Sequence, residues 1–387
     1  RAPASINLEQ KNGSELKVEA GAVIKVDPTA SITLSSTNQL TMQGTLDASA
    51  GSINLNLNTD LSSYSASQSL WLGSQSKLLS RGAFIKAQPN TQNLTQGQML
   101  AGGKININSL GYVVAQQGSL MDVSGASANI DLPQLESGSW VYRNHPVAGD
   151  AGSISVETNE GGFFDGSMNA RVEAGSQAAA GKFSLTLNNN PLFSEPTLTT
   201  FPSIPAQIQV TAGGNGSFAT QAALMPGDDA SAGRDALTGI AGKFLLDANA
   251  LKNSGFDQVT LKSQNSIDLA DGANLLARSS MVLDAPQLIS NGNSDITSAH
   301  VTLSNQQGLV GIPVVAGSNG SLNVTGQLVD VTGNVAVSGV NKLSLNSSGD
   351  IRLNGVFDTT ALTGSLTTQG DITLKADQIY PTTLSQF

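Results

Sequence analysis

The 387-residue sequence lacks cysteine and has few charged and aromatic residues, 12% and 4% of the chain. Without cysteine it has no disulfide bond, no thiolate metal ligand and no cysteine nucleophile. The charged fraction is about half that of a typical soluble domain, and so few aromatic side chains supply a conventional globular core poorly. No apolar run approaches the ~18 residues of a membrane-spanning helix, and no signal peptide opens the chain. We therefore expect no membrane insertion.

The net charge is −10, and lysine and arginine form no cluster along the chain. Because phosphate binding requires clustered basic side chains, nucleic acid is not an expected partner. An acidic surface fits a soluble extracellular protein. In a secreted protein, the absence of cysteine would also suit export as an unfolded chain.

Valine, isoleucine and leucine alternate with small polar residues, and in the C-terminal third this alternation recurs at a constant step. Alternation with period two is typical of a strand with one face inward, and a fixed step indicates that equivalent strands stack on one another. An antiparallel sandwich would also alternate, but it has no reason to keep a fixed step. We therefore predict an all-β fold, a parallel β-helix (solenoid) with coils of about 21 residues. In this register the following pairs stack: Val259/Leu261, Ser280/Val282, Val301/Leu303, Leu322/Val324, Leu343/Leu345 and Gly364/Leu366.

Five phrases place a glycine before an apolar-x-apolar pair. We expect each of these glycines to turn a corner into a new coil, with loops of variable length between coils. The phrases are AGSINL (50–55), GGKINI (102–107), AGSISV (151–156), AGKFSL (180–185) and AGKFLL (241–246).

Three segments break the pattern, at about 126–150, 188–206 and 213–239. Since the backbone nitrogen of proline cannot donate a hydrogen bond to a neighbouring strand, we expect these excursions to leave the β-helix. Within the third excursion, we expect a short helical turn on the surface at 228–237. The remaining residues correspond to about 15 coils and a rod ~70 Å long. We expect residues 1–387 to form a single continuous β-helix segment of a longer protein.

Several phrases resemble filamentous haemagglutinin-type exoproteins, large proteins secreted by the two-partner route. GTLDASAGSINL (44–55) and GSLMDVSG (118–125) are similar to the coil phrase of that family, Gly-x-apolar-Asp-Ala/Val-Ser-Gly before a glycine corner. GDITLKADQIYPTT (370–383) resembles a segment of its large members, and the likeness is closest over 259–387. The resemblance implies a right-handed β-helix, export through an outer-membrane barrel transporter, and a shaft without catalytic residues.

The resemblance implies a structural shaft of a secreted adhesin at the cell surface of a Gram-negative bacterium, involved in adhesion or biofilm formation. Two alternatives stay open: the stalk of a contact-dependent inhibition toxin-delivery protein, and a β-helix enzyme that acts on polysaccharides. Candidate partners are a host or bacterial surface glycan or protein, and further copies of the chain in a fibre.

The sequence offers little for catalysis, and we expect no enzyme activity, no catalytic residue, no metal ion and no cofactor. The two histidines, His145 and His300, lie far apart in the sequence, and His300 is predicted to be an ordinary corner residue. A β-helix enzyme would need carboxylates on neighbouring coils. Asp330, Asp350 and Asp371 come closest to that spacing, but each is predicted to be a turn residue at a corner.

The richest candidate binding patch lies in the first excursion and consists of Trp140, Tyr142, Arg143 and His145. Sugar or peptide recognition uses aromatic faces beside a guanidinium group. The simpler interpretation, which we favour over a binding role, is that Trp140 and Tyr142 pin the loop against the shaft.

Trp71 lies between two leucines in an alternating stretch. One side of that strand must therefore place a bulky side chain outside the coil. We expect Trp71 to form a contact surface for a second rod or to be covered by a loop, for which residues 83–100 are the candidate.

Overall fold

In the computed structural model, nearly all of the secondary structure is parallel strands, stacked in three faces along one axis. The structure describes residues 2–58, 68–88, 91–188, 206–213, 240, 242–309 and 320–387. The predicted parallel β-helix is confirmed. Apart from their ends, the predicted excursions at 188–206 and 213–239, with the predicted helical turn at 228–237, lie outside the described residues.

The three faces are named A, B and C, and strands are numbered in chain order. Face A is one twelve-stranded sheet, stacked in the order β1 (Ile6–Glu9), β4 (Ser31–Ser36), β7 (Ser52–Leu57), β12 (Lys104–Ser109), β17 (Ser153–Thr158), β20 (Lys182–Leu187), β23 (Gln258–Ser263), β26 (Ser280–Asp284), β29 (His300–Ser304), β31 (Leu328–Thr332), β34 (Asp350–Asn354) and β39 (Gln378–Pro381). Face B has eleven strands, in the order β2 (Glu15–Val18), β5 (Gln39–Met42), β8 (Ser69–Leu72), β13 (Tyr112–Ala115), β18 (Gly161–Phe164), β22 (Lys243–Asp247), β21 (Gln207–Thr211), β24 (Ser266–Ala270), β27 (Gln287–Asn291), β32 (Asn334–Ser338) and β37 (Ser365–Thr368).

Face C consists of two five-stranded stacks. The first is β3 (Val23–Lys25), β6 (Thr45–Asp47), β9 (Lys77–Leu79), β14 (Leu120–Asp122) and β19 (Ser167–Asn169); the second is β25 (Asn274–Leu276), β28 (Asn293–Thr297), β30 (Ser321–Gly326), β33 (Lys342–Ser347) and β38 (Asp371–Lys375). The remaining elements are the hairpins β10 (Ala83–Lys86)–β11 (Gly97–Leu100), β15 (Ser127–Glu136)–β16 (Ser139–Ala148) and β35 (Val356–Asp358)–β36 (Ala361–Thr363), the short β40 (Ser385–Gln386) and the helix α1 (Ala248–Ser254).

The inward side chains of each face stack in aliphatic columns. Ile32, Ile53 and Ile105 pair directly across neighbouring strands of face A, and none of them is exposed. Buried hydrophobic side chains from all three faces form one cluster that runs from Val18 to Ile351. Burying such a side chain contributes ~1.5–3 kcal/mol, so the stacked columns are the main source of stability.

Helix α1 continues the core where the two stacks of face C meet. It contacts both β19 and β25, and Leu251 points into the axial core. The carboxylate of Asp247 accepts a hydrogen bond from the backbone N–H of Asn249 at 2.8 Å and so caps the helix N-terminus. Gly255, at φ +84°, ends the helix in the left-handed conformation that favours glycine.

Glycines at the corner into face A let successive backbones approach closely. A Cβ atom on Gly103 would lie 1.9 Å from the carbonyl oxygen of Gly51, and one on Gly152 would lie 1.8 Å from that of Gly103. The predicted corners are confirmed for the four phrases that precede β7, β12, β17 and β20. The fifth phrase differs, because it leads into β22 of face B and its Gly242 has a φ of +69°.

The step between stacked residues varies along face A. Val259 pairs with Met281, and Met281 pairs with Val301. The second pair is therefore separated by slightly fewer residues of sequence than the first. The next step, from Val301 to Val329, is longer than either. The predicted uniform register is therefore wrong for this part of face A, although it is confirmed between β4 and β7, where Ile32 pairs with Ile53.

The predicted series also combines strands of different faces. Leu322 and Leu343 do pair as predicted, but on face C. Leu366 lies on face B and pairs with Val335. Because all three faces share the same alternating pattern and the connections between them vary in length, spacing alone does not identify the face of a strand.

The twelve strands of face A correspond to a rod ~53 Å long at an inter-strand spacing of ~4.8 Å. The predicted 15 coils and ~70 Å are therefore too many and too long for the described part of the chain. The three hairpins and the corner at 170–181 account for part of the difference, because their residues lie outside the coils.

We expect Gly152→Ala to lower the free energy of unfolding by about 3 kcal/mol, because the new Cβ atom would force two coils apart at the corner. Urea unfolding followed by far-UV circular dichroism measures the loss. Ser153→Ala is the matched control, because Ser153 is the next residue and lies on the outward side of β17. A Gly152→Ala protein as stable as the wild type would contradict the close-packed corner.

Candidate functional site

Two antiparallel hairpins leave the rod at the corner between faces C and A. They are β10–β11 and β15–β16, and together they are called the hairpin lobe. The backbone N–H of Thr95 donates to the carboxylate of Asp131 at 2.6 Å, and the N–H of Asp131 donates to the carbonyl of Thr95 at 2.8 Å. This pair of bonds ties the first hairpin to the outer edge of β15 and protects part of that edge.

The four predicted patch residues all lie on β16, but the pleat divides them. Trp140 and Tyr142 point to one side of the hairpin, and Arg143 and His145 point to the other, because side chains alternate along a strand. The structure therefore brings the two aromatic residues together and separates them from the two basic ones.

The side of the hairpin that carries Trp140 is called the aromatic face. Opposite the three β16 residues Trp140, Tyr142 and Asn144, the register places Leu135, Pro133 and Asp131. The exposed fractions are 70% for Trp140, 58% for Leu135 and 41% for Tyr142. The prediction that the aromatic residues pin the loop against the shaft is wrong, since side chains so exposed do not pack on the rod.

A fixed polar pair lies at the end of the aromatic face nearer to the rod. The amide of Asn144 donates to the Asp131 carboxylate at 3.0 Å. This bond, and next the backbone N–H of Thr95, hold the pKa of Asp131 below its usual value. The Asp131 side chain is therefore an oriented, ionised carboxylate at neutral pH.

Arg143 is engaged on the opposite face. Its guanidinium donates to both carboxylate oxygens of Glu136, at 2.8 and 2.7 Å. The hydrogen bond from Arg143 lowers the pKa of Glu136, and the same bond raises the pKa of Arg143. The guanidinium that the sequence suggested as a partner of the aromatic rings is thus paired within the hairpin.

The residues that sequence reasoning missed are Leu135, Pro133, Asp131 and Asn144. A signal was present, because Ser137 and Gly138 form a two-residue turn in which both residues have positive φ. Reading 127–148 as a hairpin around that turn would have paired Trp140 with its neighbour across the strands. The prolines of this segment lie in the two hairpin strands. No neighbouring coil there needs a hydrogen bond from a backbone N–H, so proline is tolerated.

A second cluster of polar side chains lies on the outward side of face A. Asp330 is almost wholly buried and accepts two hydrogen bonds from Arg352, at 2.7 and 2.6 Å. Nε2 of His300 lies 2.7 Å from the same carboxylate. Asp330 is the central residue of β31, so its predicted position at a corner is wrong, whereas Asp350 and Asp371 each begin a strand after a glycine.

Trp71 is buried on the outward side of face B, with 1% of its surface exposed. Trp71 belongs to a hydrophobic cluster that is separate from the axial core. The other members of this outer cluster are Tyr112, Val114, Phe163, Ile240 and Leu245. The predicted exposed contact surface at Trp71 is therefore wrong. The described part of 83–100 contributes no residue to this cluster and forms the hairpin that contacts β15 instead.

Among the described residues, no group of three or more histidine, aspartate or glutamate side chains is arranged to hold a metal ion. No helix in the described part of the chain has the length and apolar character needed to cross a membrane. Comparisons with protein-family models, with curated proteins and with solved structures find no match. The fold and the geometry of the hairpin lobe are therefore the basis for a functional proposal.

We expect the Asp330 carboxylate to stabilise the fold above about pH 4. Burial acts to raise its pKa, but the hydrogen bonds from Arg352 and His300 outweigh burial and lower it overall. A lowered pKa contributes stability that is present above the unfolded value of ~3.9 and is lost as the pH falls through the folded value.

Thermal unfolding at pH 7 and through the acid range tests this expectation. At pH 7 Asp330→Asn should lower the melting temperature, and below pH 4 the difference from the wild type should shrink. Asp371→Asn, at an exposed position of β38, is the control and should follow the wild type. Equal melting curves for Asp330→Asn and wild type at pH 7 would rule out a stabilising role for the carboxylate.

Proposed function

We propose that this chain is part of the structural shaft of a secreted bacterial surface exoprotein of the filamentous haemagglutinin type. In this proposal the parent protein crosses the outer membrane of a Gram-negative cell through a barrel transporter and stays at the cell surface. The rod then displays the hairpin lobe as a contact element for a surface glycan or protein of another cell.

The stacked fold supports a role as a shaft. Every strand of faces A and B is hydrogen-bonded in parallel to a neighbouring strand of its sheet, and the axial core is continuous. Such a solenoid is stabilised by neighbouring coils, so it holds its shape along its length without a compact globular centre. The absence of cysteine supports export of an unfolded chain, since no disulfide has to form or break on the way.

The exposure of apolar side chains on the hairpin lobe is the observation that carries the contact role. Trp140 and Leu135 are both more than half exposed, whereas the other tryptophan, Trp71, is buried. Exposed apolar surface of this kind costs free energy in water and marks interaction sites. Moreover, no side chain of β15 or β16 belongs to the axial core cluster, so the hairpin is not needed to fill it.

We expect removal of the β15–β16 hairpin to abolish cell binding without unfolding the rod. In the test variant, residues 128–147 are replaced by two glycines, and binding of the purified chain to bacterial and epithelial cells is measured with far-UV circular dichroism and the melting temperature. Binding should fall at least about tenfold, as expected when an exposed aromatic anchor is lost, while the spectrum stays unchanged.

The matched control keeps the hairpin and removes only its ion pair, by Glu136→Ala together with Arg143→Ala. Because this pair lies on the side away from Trp140 and is exposed, the control should bind as the wild type does. Full cell binding by the folded hairpin deletion would overturn the proposed contact role.

A further inference from the structure

We infer that the aromatic face binds a neutral oligosaccharide, laid along β16 with sugar rings over Trp140 and Tyr142 and hydroxyl groups at Asp131 and Asn144. This inference rests on the proposed contact role of the hairpin and names the class of its ligand. The register of the hairpin puts these four residues on one side.

The spacing of the face suits an extended ligand. Trp140, Tyr142 and Asn144 are alternate residues of one strand, so their Cα atoms follow at steps of ~6.8 Å and the row is ~14 Å long. Leu135 and Pro133 flank the rings across the hairpin. A ligand on this row therefore meets two ring faces in succession and a polar pair at the end.

Like a pyranose sugar, this row of side chains combines apolar surfaces with hydrogen-bonding groups. The face of an aromatic ring is negative and attracts the weakly positive C–H groups that one side of a pyranose presents. Asp131 accepts hydrogen bonds, and Asn144 offers both a carbonyl oxygen and an N–H. Because Asp131 is already held by Thr95 and Asn144, little side-chain entropy is lost when a hydroxyl group binds there.

The charge on the face excludes acidic sugars. Asp131 is the one side chain among the six residues of the aromatic face that is charged at neutral pH. Arg143 projects from the other side and is paired with Glu136. A uronate or sulfate group would therefore meet a carboxylate and no cation among the six residues of this face, so the ligand that fits is neutral.

Tryptophan fluorescence tests the inference in the full chain. The protein has two tryptophans, and only Trp140 is exposed, so a blue shift on adding ligand reports contact with Trp140. The probes are tetrasaccharides of glucose, of N-acetylglucosamine and of galacturonic acid. We expect at least one of the two neutral probes to cause a saturable blue shift and the galacturonic acid probe to cause none.

Variants on the two sides of the hairpin locate the site, with affinity measured by titration calorimetry. Trp140→Ala should weaken binding at least about tenfold, Trp140→Phe should retain part of it, and Asp131→Asn should weaken it severalfold. Leu132→Ala is the matched control, because Leu132 is an exposed residue of β15 on the opposite side and should not matter.

Absence of binding by both neutral probes, tighter binding of the acidic probe, or unchanged affinity of a folded Trp140→Ala variant would each overturn the inference. Its failure differs from failure of the proposed function. If deletion of the hairpin abolishes cell binding while neutral sugars do not bind, the contact role stands and the ligand is of another class.

Discussion

The rod depends on the backbone of each coil lying within hydrogen-bonding distance of the coil before it. At the corner into face A, this distance leaves no room for a side chain between the two backbones. The N–H of Lys104 donates to the carbonyl of Gly51 at 2.9 Å, and the N–H of Ser153 donates to that of Gly103 at 3.0 Å. A Cβ atom on the glycine of the upper coil would occupy the same space. The bonds also fix the register, and the register decides which side chains point inward.

Close stacking in register constrains the outward side chains as well. Equivalent positions of successive coils lie ~4.8 Å apart, and like charges at that distance repel one another. Neutral amides avoid the problem and add hydrogen bonds: the side chain of Asn106 donates to that of Asn54 at 2.8 Å. Where charges do stack, as at Asp330 and Arg352, they have opposite signs. The small charged fraction of the sequence is thus a consequence of the fold.

Much of the fold can be predicted from the sequence, because the alternation that marks a strand is a local property. Alternation revealed the strands, and prolines marked 126–150 as a departure from the coils. The face of each strand could not be predicted, since it depends on the lengths of the connections, and Leu366 was therefore placed with the wrong neighbours. The residue types of the candidate patch could be recognised in the sequence. That its aromatic and basic side chains lie on opposite sides of the hairpin could not, because this requires knowing that Trp140 and Arg143 share one strand.

The two tryptophans show why recognition is better placed on a hairpin than on a coil. Both lie on strands and point away from the axial core, yet Trp71 on a coil is 1% exposed and Trp140 on the hairpin is 70% exposed. On the coil, Trp71 stacks in the outward column beside Val114 of the neighbouring coil, and Ile240, which lies outside the strands, packs in the same buried cluster. The hairpin has no coil above or below it, so its side chains escape such a column. A parallel β-helix can therefore change its contact surface by changing a hairpin, without altering the stacking that keeps the rod folded.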